Sequence, residues 1–323
     1  MDGIVPSPQL TRMHTINSWH DMLTKHGDEF GFHQILGRNH GALFTSDDET
    51  LLVTFENAQD LRANEENSHP MGLSVAGKQG WSHLCIYSEG DTWFRDEHVF
   101  NFFDTLVDEG FFDDFERILF FGAGSCGYAA AAFSVAAPGA QVLLIHPQAT
   151  LDPRVTEWDQ RFPTMRRVSF TDRYGYAPAM LDAAAGGAVV YDPYETEDAM
   201  HAALFTRDGI TKLRCPLMGR DLVPDFENMG IMTTIMNAAV RNKLTPALFA
   251  RHYRIRRRYP VYLKRVLVYL ERQDRPFLTA LYTREVLRRL QGPRFKRAQT
   301  MALRTLQARG QRLPPSLSQR NQH

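Results

Sequence analysis

The stretch Arg117-Ile-Leu-Phe-Phe-Gly-Ala-Gly-Ser-Cys-Gly-Tyr-Ala-Ala-Ala-Ala-Phe133 decides the reading of this 323-residue chain. A short apolar run, Ile118–Phe121, stops at a cluster of very small residues. An alanine-rich run of helical composition follows without a linker. That order predicts a buried strand, a sharp turn and a helix packed close on the strand it has just left. A turn of this kind exposes one residue at its apex and sets it beside a helix N-terminus, where developing negative charge is stabilised. Ser125 is the candidate nucleophile at the apex, and Gly124, Cys126 and Gly127 supply the small flanks and the N–H groups of an oxyanion or ligand site.

Outward from the turn, short apolar runs alternate with helical patterns. Ala42–Ser46, Thr50–Phe55, Ser82–Tyr87, Gln141–Ile145, Ala188–Tyr191 and Lys212–Leu217 read as strands. His98–Leu106, Ala177–Ala185 and Asp198–Phe205 read as helices. The alternation implies an α/β fold with a mostly parallel sheet covered on both faces, whose ligands gather at the carboxyl ends of the strands. From about Gly230 the strand signals cease. Tyr259, Tyr262, Leu263, Val266, Leu267 and Leu270 fall on one face of a helix, and Pro246, Pro260, Pro276 and Pro293 stand near helix starts. The expected organisation is a helical lead-in over 1–40, an α/β domain over 41–230, a basic helical extension over 231–310 and a disordered tail over 311–323.

Composition narrows the function classes. Lys+Arg and Asp+Glu balance at 37 each, yet residues 1–240 hold 16 basic and 34 acidic side chains while residues 241–323 hold 21 and 3. Such a division suggests that the basic part docks on the acidic part, meets an anionic membrane surface, or contacts a protein partner. The run Arg254-Ile-Arg-Arg-Arg-Tyr259 could touch phosphates, but the helical apolar spacing around it speaks for a packed bundle rather than a nucleic-acid interface. Three widely spaced cysteines, Cys85, Cys126 and Cys215, fit neither a disulfide framework nor a zinc pattern, and no metal or other cofactor is expected. The N-terminus lacks the features of a secretory signal, so a cytoplasmic protein is expected, with peripheral attachment to the inner membrane face open to it.

Four motifs occur in order: Trp93-Phe94-Arg95, the turn Phe121–Ala130, His146-Pro147-Gln148 and Leu151-Asp152-Pro153. Together they resemble bacterial α/β-hydrolase-like proteins associated with glycosyltransferases and surface-polysaccharide functions. The resemblance covers about residues 40–240. It implies an α/β-hydrolase fold and a small-molecule or glycan-linked ligand. Aligned on Gly127-Tyr128-Ala129, the family's nucleophilic serine falls on Gly124. A shift of one residue makes Ser125 the nucleophile, in the frame Ala123-x-Ser125-x-Gly127.

The remaining partners of a triad come in the chain order nucleophile, acid, histidine. Asp192, at the end of Ala188–Tyr191, fits the acid, or starts a turn before Pro193. Where the histidine belongs, the chain has Arg220, which stays protonated and cannot act as a base. His146 and His201 are the candidate substitutes. Arg220 and Arg95 could instead hold an anionic or sugar-linked group. Ser125 could equally cap the helix after it, and Cys126 is either a thiol nucleophile favoured by the helix N-terminus or a buried spacer. Gly122–Gly127 also reads G-x-G-x-x-G, but the next strand ends on His146 and not on the acidic residue that dinucleotide binding needs. Two functions follow from these residues. One is an ester-class hydrolase or acyltransferase using Ser125, His146 and Asp192. The other is a non-catalytic relative that binds a ligand or serves assembly.

Overall fold

A computed structural model describes residues 8–63 and 70–314. Eight strands form one sheet: β1 Gly31–Leu36, β2 His40–Thr45, β3 Thr50–Asn57, β4 Ser82–Ser88, β5 Arg117–Ala123, β6 Gln141–Ile145, β7 Gly186–Tyr191 and β8 Ile210–Arg214. Their spatial order is β1-β2-β4-β3-β5-β6-β7-β8. β2 runs antiparallel to both of its neighbours, and every other pair is parallel. This is the α/β-hydrolase topology, and it is the fold of the chain. The dinucleotide-binding order 3-2-1-4-5-6 is a different sheet.

The strands expected from sequence are present, and β1 is an addition. It lies at the sheet edge, exposed or half-exposed at all positions but Leu36, and has no continuous apolar run to be seen by. Parallel strands buried on both faces need apolar residues at every position, and β3, β4 and β6 are buried almost throughout. One face is an aromatic core. Phe133, at the end of the helix Ser125–Phe133, has its ring centroid 4.5 Å from Phe103, 5.5 Å from Phe55 and 4.6 Å from Tyr174. Ala129, Ala130, Ala131 and Ala132 are fully buried, because only a methyl-sized side chain lets this helix lie so close to the sheet.

The chain forms two compact units, residues 1–251 and 252–323. This division falls later than the expected change near residue 230. The helix Met232–Val240 buries Met232, Ile235, Met236, Ala239 and Val240 and belongs with the sheet, although its sequence pattern is that of a bundle helix. The second unit holds the helices Pro260–Arg272, Pro276–Leu287 and Pro293–Ala308, packed around Leu263, Leu267, Val286, Phe295 and Ala298. Each begins on a proline, as expected. Of the expected tail, Gln311–Pro314 have no regular structure, and 315–323 lie outside the described residues. No helix among the described residues is long and apolar enough to cross a membrane.

Three buried or partly buried histidines of the sheet unit have lowered pKa values. Burial brings His83 to about 3 and His33 and His40 to about 4. An unfolded histidine titrates near 6.5, so below that pH the unfolded chain binds more protons than the folded one, and stability falls as pH drops toward 3. Glu56, raised by burial, acts in the opposite sense. Urea midpoints measured from pH 7 to pH 4 should therefore fall, and a His83→Gln chain should show a shallower fall, by up to about 1.4 kcal/mol per pH unit. For the core, Phe133→Ala should cost about 3–5 kcal/mol in urea unfolding, the usual range for emptying a buried phenylalanine site.

Candidate functional site

The turn after β5 fixes the geometry. Gly124 has φ 58° and ψ −125°, a positive-φ conformation outside the regions open to ordinary residues and adopted without strain by glycine. It is the apex, and Ser125 is the first residue of the helix. Gly122 carries the close approach: a Cβ there would stand 2.1 Å from the Cys126 carbonyl oxygen. Gly127 is less tight, with Gly122 O at 3.1 Å and Pro147 Cβ at 3.2 Å from its missing Cβ. The turn is therefore tightest at Gly122 and reverses at Gly124, with Ser125 opening the helix.

The sheet ladder continues past the strand ends and ties the edge together. Gly124 N–H donates to Ile145 O at 3.0 Å, His146 N–H to Val190 O at 2.7 Å and Cys215 N–H to Tyr191 O at 2.7 Å. His146, at φ 36°, lies beside the apex. A Cβ on residue 124 would stand 3.5 Å from its Cε1, 3.8 Å from its Nδ1 and 4.0 Å from Gln148 Oε1, all ordinary contacts. Burial lowers the His146 pKa against the charge of Asp198, while the cations of Arg220 and Arg161 lower it further. Gln148 is buried, and its Oε1 has no hydrogen-bond partner among the described residues. Apex, histidine and an unsatisfied acceptor thus share one spot.

Ser125 does not join them. No hydrogen bond links its hydroxyl to a histidine among the described residues, and it makes no cap for the helix, whose N-cap is Gly124. Its neighbour is the Cys126 thiol. Burial, with the charges of Glu56 and Asp60 adding, pushes that thiol up to about 12, so Cys126 stays protonated at neutral pH. Asp192 is at the expected strand end and buried. Its carboxylate accepts the N–H groups of Tyr194 at 2.9 Å, Leu217 at 3.1 Å and Gly219 at 2.7 Å. It pins the loop after β8, the loop that would carry a triad histidine, and no histidine touches it.

Both arginines expected to hold a ligand are engaged by the protein. Arg95 donates to Ser169 O at 3.1 Å, Arg173 O at 2.7 Å and Tyr128 Oη at 3.4 Å, and pairs with Asp172. It lies over the rings of Phe100 and Phe170. Its neighbour Trp93 packs on Tyr128, Phe162 and Phe170. The Trp93-Phe94-Arg95 motif is a brace over the helix Ser125–Phe133. Arg220 meets Glu195 at 3.2 Å, Asp198 at 3.3 Å and Glu197 at 3.5 Å. These three carboxylates are its counter-charge, and Asp198 reaches on to Arg161 at 2.5 Å. Arg161 pairs with Asp159 at 2.7 Å. Asp159 accepts from His201 Nε2 at 2.9 Å, and His201 Nδ1 accepts the Ala149 N–H at 3.1 Å. His201 is fully buried and anchors the 146–149 segment from behind.

One group was not foreseen. Glu56, His83 and Cys85 are buried side by side, their ligand atoms within 4.8 Å of one another. His83 Nε2 lies 2.9 Å from Thr54 Oγ1, which donates to Glu56 at 2.7 Å, and the N–H groups of Met71 and Gly72 also donate to Glu56. The carboxyl group is satisfied by the protein alone, while His83 Nδ1 is buried without a hydrogen-bond partner among the described residues. The residues are scattered over β3 and β4, and only strand pairing joins them.

No family model matches this chain, and no curated protein matches it. Solved structures do. An esterase of Pyrobaculum calidifontis is 14% identical, with 73% of this chain and 94% of that one covered and a TM-score of 0.44. The capsule O-acetyltransferase of Neisseria meningitidis serogroup A is 10% identical over 61% and 91%, with a TM-score of 0.42. A glycosylation-associated protein complex (Gap123) of Streptococcus agalactiae is 11% identical over 60% and 43%, at 0.40. At these values the likeness is one of fold.

Replacing Asp192 by alanine should leave three loop N–H groups without their acceptor and cost on the order of 2–3 kcal/mol. Urea unfolding measures the loss, and hydrogen exchange should place it at residues 215–219.

Proposed function

We propose that this chain is a hydrolase-fold ligand-binding module and not a serine hydrolase. The observation that carries this reading is the apex: Gly124 turns the chain at φ 58° and has no side chain to act as a nucleophile. What remains at the edge is recognition chemistry. His146 offers a ring nitrogen, Gln148 an unsatisfied acceptor, and the first N–H groups of the helix Ser125–Phe133 an electropositive end. A small ligand with hydroxyl and carbonyl groups fits these partners, and the sequence resemblance supports a glycan-linked or acyl-bearing compound and a place in surface-polysaccharide production.

A second reading, an ester hydrolase or acyltransferase, is favoured by the presence of His146 beside the apex. It requires Ser125 to swing from the helix toward that histidine. Labelling with a serine-reactive fluorophosphonate separates the two. The wild-type chain and Ser125→Ala should both remain unlabelled. Labelling of the wild type that disappears in Ser125→Ala would establish Ser125 as a nucleophile and overturn the binding reading. The chain Gly124→Ser serves as the positive arm. Its Cβ meets only ordinary contacts beside His146, although φ 58° strains any residue but glycine there, and the chain should acquire measurable labelling.

A further inference from the structure

We infer that the second unit contains a binding pocket for a single-chain anionic amphiphile, a molecule with a phosphate or carboxylate head and an apolar tail. A cavity of about 650 Å³ lies among the residues of this unit, within the range of small-molecule sites. Leu263, Val266, Val286 and Leu290 give it aliphatic walls, and the rings of Tyr262 and Tyr282 add apolar surface with little side-chain entropy. Tyr282 holds its place by donating to Leu263 O at 3.0 Å.

The same cavity is lined by Arg256, Arg257 and Arg258, three consecutive cations on the short 3-10 turn Arg254–Arg258. Arg257 and Arg258 make no ion pair or hydrogen bond among the described residues. Arg256 is fixed by stacking, 4.1 Å from the centroid of the Tyr253 ring and 5.6 Å from that of Tyr262. One of its N–H groups donates to Tyr253 O at 3.0 Å, while its Nε–H is buried without an acceptor. The one acid at the cavity, Glu285, is taken by Arg288 at 3.2 Å and by Arg289. The result is an apolar cavity bordered by Arg257 and Arg258, which have no counter-charge among the described residues. A fully apolar ligand would leave the arginines unanswered, and a bare anion would leave the cavity walls wet. An anion joined to an apolar tail satisfies both, and guanidinium groups accept phosphate or carboxylate through paired hydrogen bonds.

The test uses the full chain and dodecyl phosphate below its critical micelle concentration, followed by isothermal titration calorimetry. Inorganic phosphate and uncharged dodecyl glycerol are the two controls, and dodecanoate compares the two head groups. We expect saturable binding of one dodecyl phosphate per chain, at least about tenfold tighter than either control. Val266→Trp, which fills the cavity from a half-buried position, and the exposed pair Arg257→Ser/Arg258→Ser should each weaken it by about tenfold or more, with circular dichroism unchanged. Should Val266→Trp fail to fold, the arginine pair carries the test alone. Equal affinity for dodecyl glycerol, equal affinity for inorganic phosphate, binding unaffected by the arginine pair, or no saturable binding would each overturn the proposal.

Discussion

The sheet unit depends on one close approach, the return of the helix Ser125–Phe133 over the strand β5. Gly122 permits it, since any Cβ there would collide with the carbonyl of Cys126. Gly124 turns the chain at a φ that glycine takes freely. Gly127 then passes Pro147, and four alanines keep the helix against the sheet. Phe133 ends the helix in the aromatic core, and Tyr128 is gripped from the other side by Arg95 and Trp93. Neighbouring segments are placed by this approach. Pro147 touches Gly127, so the loop after β6 is set against the turn, and the ladder bonds from Gly124, His146 and Cys215 carry the alignment along the carboxyl edge.

The fold was legible because its causes are local. An apolar run, a cluster of residues without side chains and an alanine run each have one steric meaning, and their order names the element. The frame of the apex was not legible. Ala123 and Gly127 are small enough to flank Ser125, just as Gly122 and Cys126 flank Gly124, and composition cannot separate two frames one residue apart. The collision at Gly122, a contact between backbone atoms, does not show in composition. The same limit explains Arg95. Its sequence neighbours invite a ligand role, while its partners Ser169, Asp172 and Arg173 lie more than seventy residues away. For Asp192, acid and turn-former were offered as alternatives, and its hydrogen bonds show it starting the turn at Tyr194 and organising the loop after β8.

The end of the sheet unit was misplaced for a related reason. Helices that cover a parallel sheet and helices that form a bundle share one amphipathic pattern, so the loss of strand signals near residue 230 marks the last strand and not the last element of the unit. Met232–Val240 still has a sheet face to cover. β1 escaped notice from the opposite cause, because an edge strand with one neighbour can stay polar and still pair.

The edge of the sheet unit and the cavity of the second unit treat their cations in contrasting ways. Arg95, Arg161 and Arg220 each meet carboxylates of their own unit. Such pairs add little to stability where they are solvated, but they hold loops in position and leave a nearly neutralised surface around His146. A ligand at that edge is therefore selected by hydrogen bonds and shape more than by charge. Arg257 and Arg258 have no such partners, and the cavity beside them is apolar. Net charge alone would have marked the whole extension as a diffuse basic surface. Pairing distinguishes cations that organise the protein from cations that stay open to a ligand, and Arg257 and Arg258 are two of the latter that border a cavity.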